Sequence, residues 1–253
     1  MNDLEEYFES NEGRLIHKWM HYFEVYDRHF RRFRGKAPVV LEIGVSQGGS
    51  LQMWKKYFGD EARICGIDID PRCKEFEEKG VEIFIGSQSD REFLRRVRAS
   101  IPPIDILSDD GGHTMVQQIT TFEELFGAVT KDGVYLCEDL HTSYWIRFGG
   151  GHHRRGTFIE YSKKLIDKLN AWHSEQASLV VDDFTRSADS IHFYDSIVVI
   201  EKQERVPPEH RHTGTPGLLK SPGPALMKRI MNGVKRPLAR VLRWLGAPNP
   251  IGR

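Results

Sequence analysis

The chain has 253 residues, 39% of them hydrophobic, enough for one full-sized core, so a single domain with appendages is expected rather than two equal ones. Its 36 Lys and Arg balance 36 Asp and Glu, so bulk charge gives no reason to expect a nucleic acid or an anionic partner. The acidic, polar start MNDLEEYFES does not read as a signal peptide and nowhere do eighteen apolar residues run together, so a soluble, cytoplasmic protein is expected.

In chain order, the first expected element is a helix from about Leu15 to Phe33, where Trp19, Tyr22, Phe23, Tyr26 and Phe30 recur at spacings of three and four. Apolar runs then alternate with amphipathic stretches: PVVLEI, a helix from Ser50, ARICGID, a helix near Lys74, VEIFIG, a helix from Asp90, IDILSDD, a helix from Thr114, and GVYLCEDL. Such alternation requires crossover connections, and these imply a doubly wound α/β fold with a mainly parallel sheet covered on both faces. After the loop RFGGGHHRRG, a helix around Tyr161 to Trp172 leads to the strand-like SLVVDD and IHFYDSIVVIEK. No helical pattern separates those two runs, so the last strand is expected to enter antiparallel, as an edge hairpin. Cys65, Cys73 and Cys137 lack metal-site spacing, and free thiols are expected of them.

These readings divide the chain into an N-terminal helical segment (1–36), a catalytic domain (37–203), a Pro/Gly-rich linker (204–224) and a basic amphipathic tail (225–253). For the tail, a docked helix or subunit contact is favoured over a membrane surface, because Gly233 and Pro237 interrupt the helical pattern.

Leu41 to Ser50 reads LEIGVSQGGS, a strand ending in an acid followed by a Gly-rich turn that opens a helix. Gly44, Gly48 and Gly49 remove side chains where backbone would approach a ligand. The nicotinamide fingerprint is absent, since Ser46 takes the place of its second glycine. Asp68 follows at the end of the second strand, where a carboxylate can accept ribose hydroxyls. The third strand runs into Gly86-Ser87-Gln88, whose polar side chains could meet an adenine ring. The competing reading is that Glu42 and Asp68 merely cap neighbouring helices.

The fourth strand ends in Asp109-Asp110-Gly111-Gly112-His113, and the fifth in Glu138-Asp139-Leu140-His141. Four acids at adjacent strand ends repel one another, and a bound cation is the simplest explanation. Oxygen ligands without a zinc-like Cys or His pair suit Mg2+, Mn2+ or Ca2+ rather than zinc, and Mg2+ is the expected ion. His113, three residues past Asp110, is the expected general base, and His141 is the other candidate for that role. The plainer alternative makes Asp110 and Glu138 helix caps and His113 a loop histidine.

In combination, EIGVSQGGSL, GIDID, GSQSD, DDGGH, EDLHTSYW and HFYDSIVVIEK resemble the Mg2+-dependent class I methyltransferases of natural-product sugars. These include the macrolide sugar 2-hydroxyl and rhamnosyl O-methyltransferases and a cephalosporin-biosynthesis relative. The resemblance runs from about His17 to Lys202. It implies a Rossmann-like class I methyltransferase fold using S-adenosylmethionine. By the same resemblance Asp110, Glu138 and Asp139 hold Mg2+, His113 is the base, and Glu42, Gly44, Asp68, Gln88 and Asp109 line the S-adenosylmethionine site. The acceptor it implies is a small molecule or glycan with neighbouring hydroxyls, one of which is methylated. A homo-oligomer is also expected.

The segment HKWMHYFEVYDRHF resembles the family's helix before the sheet, with Lys18, Tyr22 and Tyr26 four apart on one face. The loop Arg147 to Gly156 is a candidate lid, and Tyr144 and Trp145 are candidate stacking groups for a sugar face. The sequence lacks the long N-terminal extension of the macrolide enzymes, so their oligomer geometry and large-acceptor recognition are not carried over. Two other functions compete. One is a different enzyme on the same fold, either NAD-dependent or a metal hydrolase; the other is a non-catalytic cofactor-binding protein acting through its tail.

Overall fold

A computed structural model describes residues 2–215 and 217. The chain divides into a unit Met1–Pro208 and a unit Glu209–Arg253. The described residues of the second unit carry no helix or strand, and Arg211 pairs there with Glu209 at 3.0 Å. The expected tail at 225–253 lies outside the described residues.

The first unit is a seven-stranded sheet in the order β3-β2-β1-β4-β5-β7-β6. Its strands are β1 (Val39–Ile43), β2 (Arg63–Asp68), β3 (Val81–Ile85), β4 (Ile104–Asp109), β5 (Val129–Cys137), β6 (Ala188–Tyr194) and β7 (Ile197–Lys202). The first five are parallel, while β7 runs antiparallel between β5 and β6. The helices are α1 (Asp3–Glu9), α2 (Tyr22–Phe30), α3 (Gly49–Phe58), α4 (Arg91–Ser100), α5 (Met115–Leu125), α6 (Phe158–Leu169) and α7 (Asp183–Ser187). This is the doubly wound α/β architecture that the strand and helix alternation implies.

Side chains alternate across each strand, so neighbouring residues feed different cores. In β5, Val134 and Leu136 join Tyr26, Phe30, Trp54 and Phe58 in one apolar layer. Tyr135 and Cys137 join Leu94, Phe122, Leu125 and Phe158 in the other. All three cysteines are buried and free. Among the described residues, no helix is long and apolar enough to cross a membrane.

Several elements differ from expectation. The stretch Leu15–Phe33 is helical only from Tyr22, and Leu15–Trp19 run outside any helix or strand. Gly49 explains this path, since a Cβ there would lie 2.4 and 2.5 Å from the carbonyls of Leu15 and Arg14. The strap therefore packs directly on the start of α3. Helix α1 was not legible as such; Asn2 and Glu5 form a capping box for it and Leu4 anchors it in the core.

The helix near Lys74 is a short 3-10 turn, Pro71–Phe76, capped by Asp70. SLVVDD is not a strand, because its Asp182 caps α7 instead. The run IHFYDSIVVIEK divides at Asp195-Ser196, where Ser196 has φ +63°, so β6 takes the sheet edge and β7 the inner place.

Candidate active site

In this strand order the chain reverses its direction of travel between β1 and β4, and open α/β sheets bind ligands at such a point, beyond the strand C-termini. Register explains why acids meet there. Ile43 pairs with Asp109, and Asp109 with Cys137, so the residues just beyond the ladder are Gly44, Asp110 and Glu138. Asp110 N donates to Ile43 O at 3.0 Å and Glu138 N to Asp109 O at 2.9 Å, which ties the three loops together.

Asp110, His113 and Asp139 bring one ligand atom each to within 4.8 Å of one another. His113 Nε2 lies 3.8 Å from Asp110 Oδ1 and 3.5 Å from Asp139 Oδ2. The Tyr22 hydroxyl donates to Asp139 Oδ1 at 2.7 Å. Glu138 is reached through Lys18, whose Nζ donates to Asp110 Oδ2 at 2.5 Å and to Glu138 Oε2 at 2.8 Å.

Burial pushes the Asp110 carboxyl up to about 6 even against the neighbouring Lys18, and burial together with Asp110 pushes Glu138 up to about 7. Burial alone would favour a neutral Lys18, yet Asp110, Glu138 and Glu42 hold its pKa above that of an ordinary lysine, so it is a cation. Burial lowers the His113 pKa against the pull of Asp139 and Glu138. The imidazole is therefore neutral at physiological pH and able to accept a proton.

The backbone around these groups is unusual. Four of the six described non-glycine residues with positive φ border this region: Ser46, His113, Asp139 and Ser196. Left-handed conformations cost non-glycine residues energy and tend to persist where the surroundings enforce them. His113 is enforced from two sides: Thr114 caps α5 immediately after it, and the Thr142 hydroxyl lies 2.9 Å from its carbonyl oxygen. Its Nδ1 is buried without a hydrogen-bond partner among the described residues.

His141, the other candidate base, stands apart. Its Nδ1 lies 2.6 Å from Ser196 Oγ and 3.9 Å from Asp139 Oδ1, and it borders a separate apolar hollow with Tyr144, Ile166 and Phe193. Trp145 packs on the His141 ring with centroids 4.6 Å apart.

Two clefts meet at this point. The first, of about 250 Å3, is lined by Lys18, Tyr22, Gly44, Asp110, His113, Glu138 and Asp139. The second, of about 230 Å3, is lined by Asp68, Gly86, Ser87, Gln88, Gly111 and Gly112. Gly44, Ser46, Asp110 and Gly111 border both, so the two are continuous. A Cβ on Gly44, whose φ is +93°, would lie 2.1 Å from Asp110 O, which makes glycine obligatory where the β1 and β4 loops touch. Asp68 Oδ2 accepts from Val45 N and Ser46 N, both at 2.9 Å, and Oδ1 from Asp70 N at 2.9 Å. With about four acceptor positions on a carboxylate, Asp68 mainly shapes the Gly-rich turn and keeps roughly one position for a ligand.

Four of the expected cofactor contacts are placed differently. Glu42 is fully buried and lines neither cleft; Ser50 Oγ donates to it at 2.7 Å and Trp54 Nε1 at 2.9 Å, so it braces β1 against α3. Burial raises its pKa. Gly48 (φ +73°) also lines neither cleft, and its missing Cβ leaves room for Phe76 rather than a ligand. Asp109 is buried beneath the cleft, 2.5 Å from Gln88 Nε2, with its pKa raised well above the usual carboxylate range by burial. Gln88 reaches the second cleft, but its amide is committed: Nε2 also donates to Thr121 at 2.9 Å and Oε1 accepts from Gly112 N at 3.0 Å. Asp109 and Gln88 thus hold the Gly111-Gly112 turn in place. Lys18 and Ser196 are the groups that sequence reasoning left without a role. Lys18 was already visible on one face with Tyr22, whereas nothing in the sequence marked Ser196.

No family model matches the chain. It is 36% identical over 191 residues to 8-demethyl-8-alpha-L-rhamnosyl tetracenomycin-C 2'-O-methyltransferase of Streptomyces olivaceus, an alignment covering 72% of this chain and 50% of that protein. It is also 36% identical, over 202 residues, to mycinamicin VI 2''-O-methyltransferase of Micromonospora griseorubida, covering 73% of this chain and 49% of that one. The chain thus spans about half the length of the curated relatives it matches.

Among solved structures, the MycE methyltransferase of the mycinamycin pathway, in complex with Mg, SAH and mycinamycin VI, superimposes with a TM-score of 0.72. The two are 31% identical, over 90% of this chain and 58% of that one. By sequence and by fold, the matched residues are related to the sugar O-methyltransferases of natural-product pathways, and their fold is that of a class I methyltransferase.

Proposed function

We propose that this chain transfers a methyl group from S-adenosylmethionine to a sugar hydroxyl of a glycoside, with Mg2+ held by Asp110, Glu138 and Asp139. The observation that carries the reading is the convergence of Asp110 and Asp139 on His113 inside a cleft continuous with the one that Asp68 borders. The residues suit the ion: three carboxylates gather more negative charge than the one Lys18 ammonium offsets, and the donors are the oxygens that Mg2+ prefers.

When bound, the ion would make a coordinated hydroxyl more acidic. His113 takes the proton that the acceptor hydroxyl gives up, its Nε2 facing the cleft between Asp110 and Asp139. Tyr22 orients Asp139 by its hydrogen bond. Gly44 and Gly111 let the β1 and β4 loops close on each other between the two clefts, and Asp68 fixes the Gly-rich turn beside them. Alignment of methyl donor and acceptor oxygen then supplies much of the rate. The acceptor that suits this site carries neighbouring hydroxyls. The exposed Tyr144 and Trp145 rings beside His141 offer apolar surface for a sugar face.

Incubation with labelled S-adenosylmethionine, Mg2+ and a panel of rhamnosyl and macrolide glycosides tests the reading by mass spectrometry. The expected product is a monomethylated glycoside whose formation EDTA abolishes; formation that EDTA leaves unchanged contradicts the metal assignment, and S-adenosylmethionine failing to bind contradicts the whole reading.

A further inference from the structure

We propose that Lys18 is a built-in counter-ion of the carboxylate site, competing with the divalent cation for Asp110 and Glu138 and so holding down the site's affinity for metal. The inference rests on the metal-site reading above. The Lys18 side chain is 3% exposed, its ammonium lies 2.5 and 2.8 Å from one oxygen of each acid, and the Tyr26 ring centroid is 5.6 Å away. An ammonium bonded to Asp110 Oδ2 and Glu138 Oε2 takes part of the acceptor capacity that a metal ion would use, leaving Asp110 Oδ1 toward His113. Two cations sharing a pair of buried carboxylates also repel with little water to screen them. A metal ion at this site therefore competes with Lys18 for the two acids.

The route by which Lys18 arrives makes displacement feasible. It stands on the strap of Leu15–Trp19, outside any helix or strand, rather than on the sheet. The strap is fastened at both ends: Arg14 N donates to Gln52 Oε1 at 3.0 Å, and Tyr22, at the start of α2, donates to Asp139. Lys18 can withdraw between those anchors without opening the sheet. Leu15, Ile16, His17 and Trp19 line the same cleft as the carboxylates, so Lys18 reaches the acids from a wall of that cleft.

Direct Mn2+ binding to the full chain, read from the electron paramagnetic resonance of the free ion, tests this without any assay of turnover. Lys18→Met is expected to bind Mn2+ at least tenfold more tightly than the unaltered chain, about 1.4 kcal/mol. Lys18→Gln, a second neutral replacement, should do the same should the methionine variant fold poorly, whereas Lys18→Arg should bind no more tightly than the unaltered chain. If the unaltered chain binds Mn2+ and a folded neutral variant binds equally or more weakly, the counter-ion role is overturned while the metal site stands. If neither the unaltered chain nor the neutral variants bind Mn2+, both fall.

Discussion

The phenol of Tyr22 donates a 2.7 Å hydrogen bond to Asp139 Oδ1, so the helix before the sheet orients a carboxylate that follows the fifth strand. Groups that orient a ligand from behind typically contribute 10- to 100-fold to metal affinity. Tyr22→Phe is expected to raise the Mg2+ concentration for half-maximal methyl transfer by about tenfold, leaving the rate at saturating Mg2+ within a few-fold. An unchanged Mg2+ requirement would show that the contact only packs α2.

His113→Ala should leave binding of S-adenosylhomocysteine, measured by calorimetry, within about twofold, while lowering kcat by about 10²- to 10⁴-fold. His141→Ala should lower it far less, because His141 borders the neighbouring hollow and is held by Ser196. The reverse order of the two losses would move the base to His141.

Glu138→Gln removes a buried negative charge but keeps the side chain's size and hydrogen-bonding reach. Activity should then require more than tenfold higher Mg2+, with little change in cofactor affinity. Equal loss of both would mean that Glu138 supports the fold of the cleft rather than the ion.

Gly44→Ala places a methyl group 2.1 Å from Asp110 O at a residue with φ +93°. Strain of this kind costs about 1–3 kcal/mol before the clash is counted. The variant is expected to lose at least about 2 kcal/mol of stability in urea denaturation and to bind S-adenosylhomocysteine poorly. Undiminished stability would show that the β1 and β4 loops part readily.

Away from the site, Glu201 carries a pH signature. Burial would raise its pKa, but His29 (2.5 Å) and Arg32 outweigh burial and hold it below the ordinary value. A depressed carboxylate stabilises the folded state fully above its unfolded pKa, about 4.3, and loses that contribution as pH falls through the lower folded value. Glu201→Gln should cost about 2 kcal/mol at pH 7, and the gap between variant and parent in urea denaturation should shrink below about pH 4. A gap that does not change with pH would mean the loss is one of packing.

Much of this was legible in the sequence because apolar runs and turn residues report strands directly. The meeting of Asp110, Glu138 and Asp139 at one cleft was legible for the same reason. What misled was treating a strand end as one place. Glu42 pairs with Gly66 and Ser108 inside the ladder, and the alternation that sends Leu41 and Ile43 to one core sends Glu42 with Val40 to the face that α3 covers. Asp109 is likewise the last residue in the ladder, while Asp110, one residue on, faces the cleft. Period two already contained that distinction.

The strap is different in kind. The aromatic spacing from Trp19 to Phe30 reports the helix that begins at Tyr22, whereas packing against Gly49, a contact between residues far apart in sequence, places Leu15–Trp19 outside it and delivers Lys18 to the carboxylates. Ser196 was hidden because a left-handed serine in a tight hairpin resembles any other turn residue.

The position of a bound ion bears most directly on the account. Anomalous diffraction from crystals grown with Mn2+ and S-adenosylhomocysteine should give one strong peak within about 2.0–2.3 Å of oxygens from Asp110, Glu138 and Asp139, close to His113. A peak that touches none of these carboxylates, or no peak beside a fully bound cofactor, would contradict it.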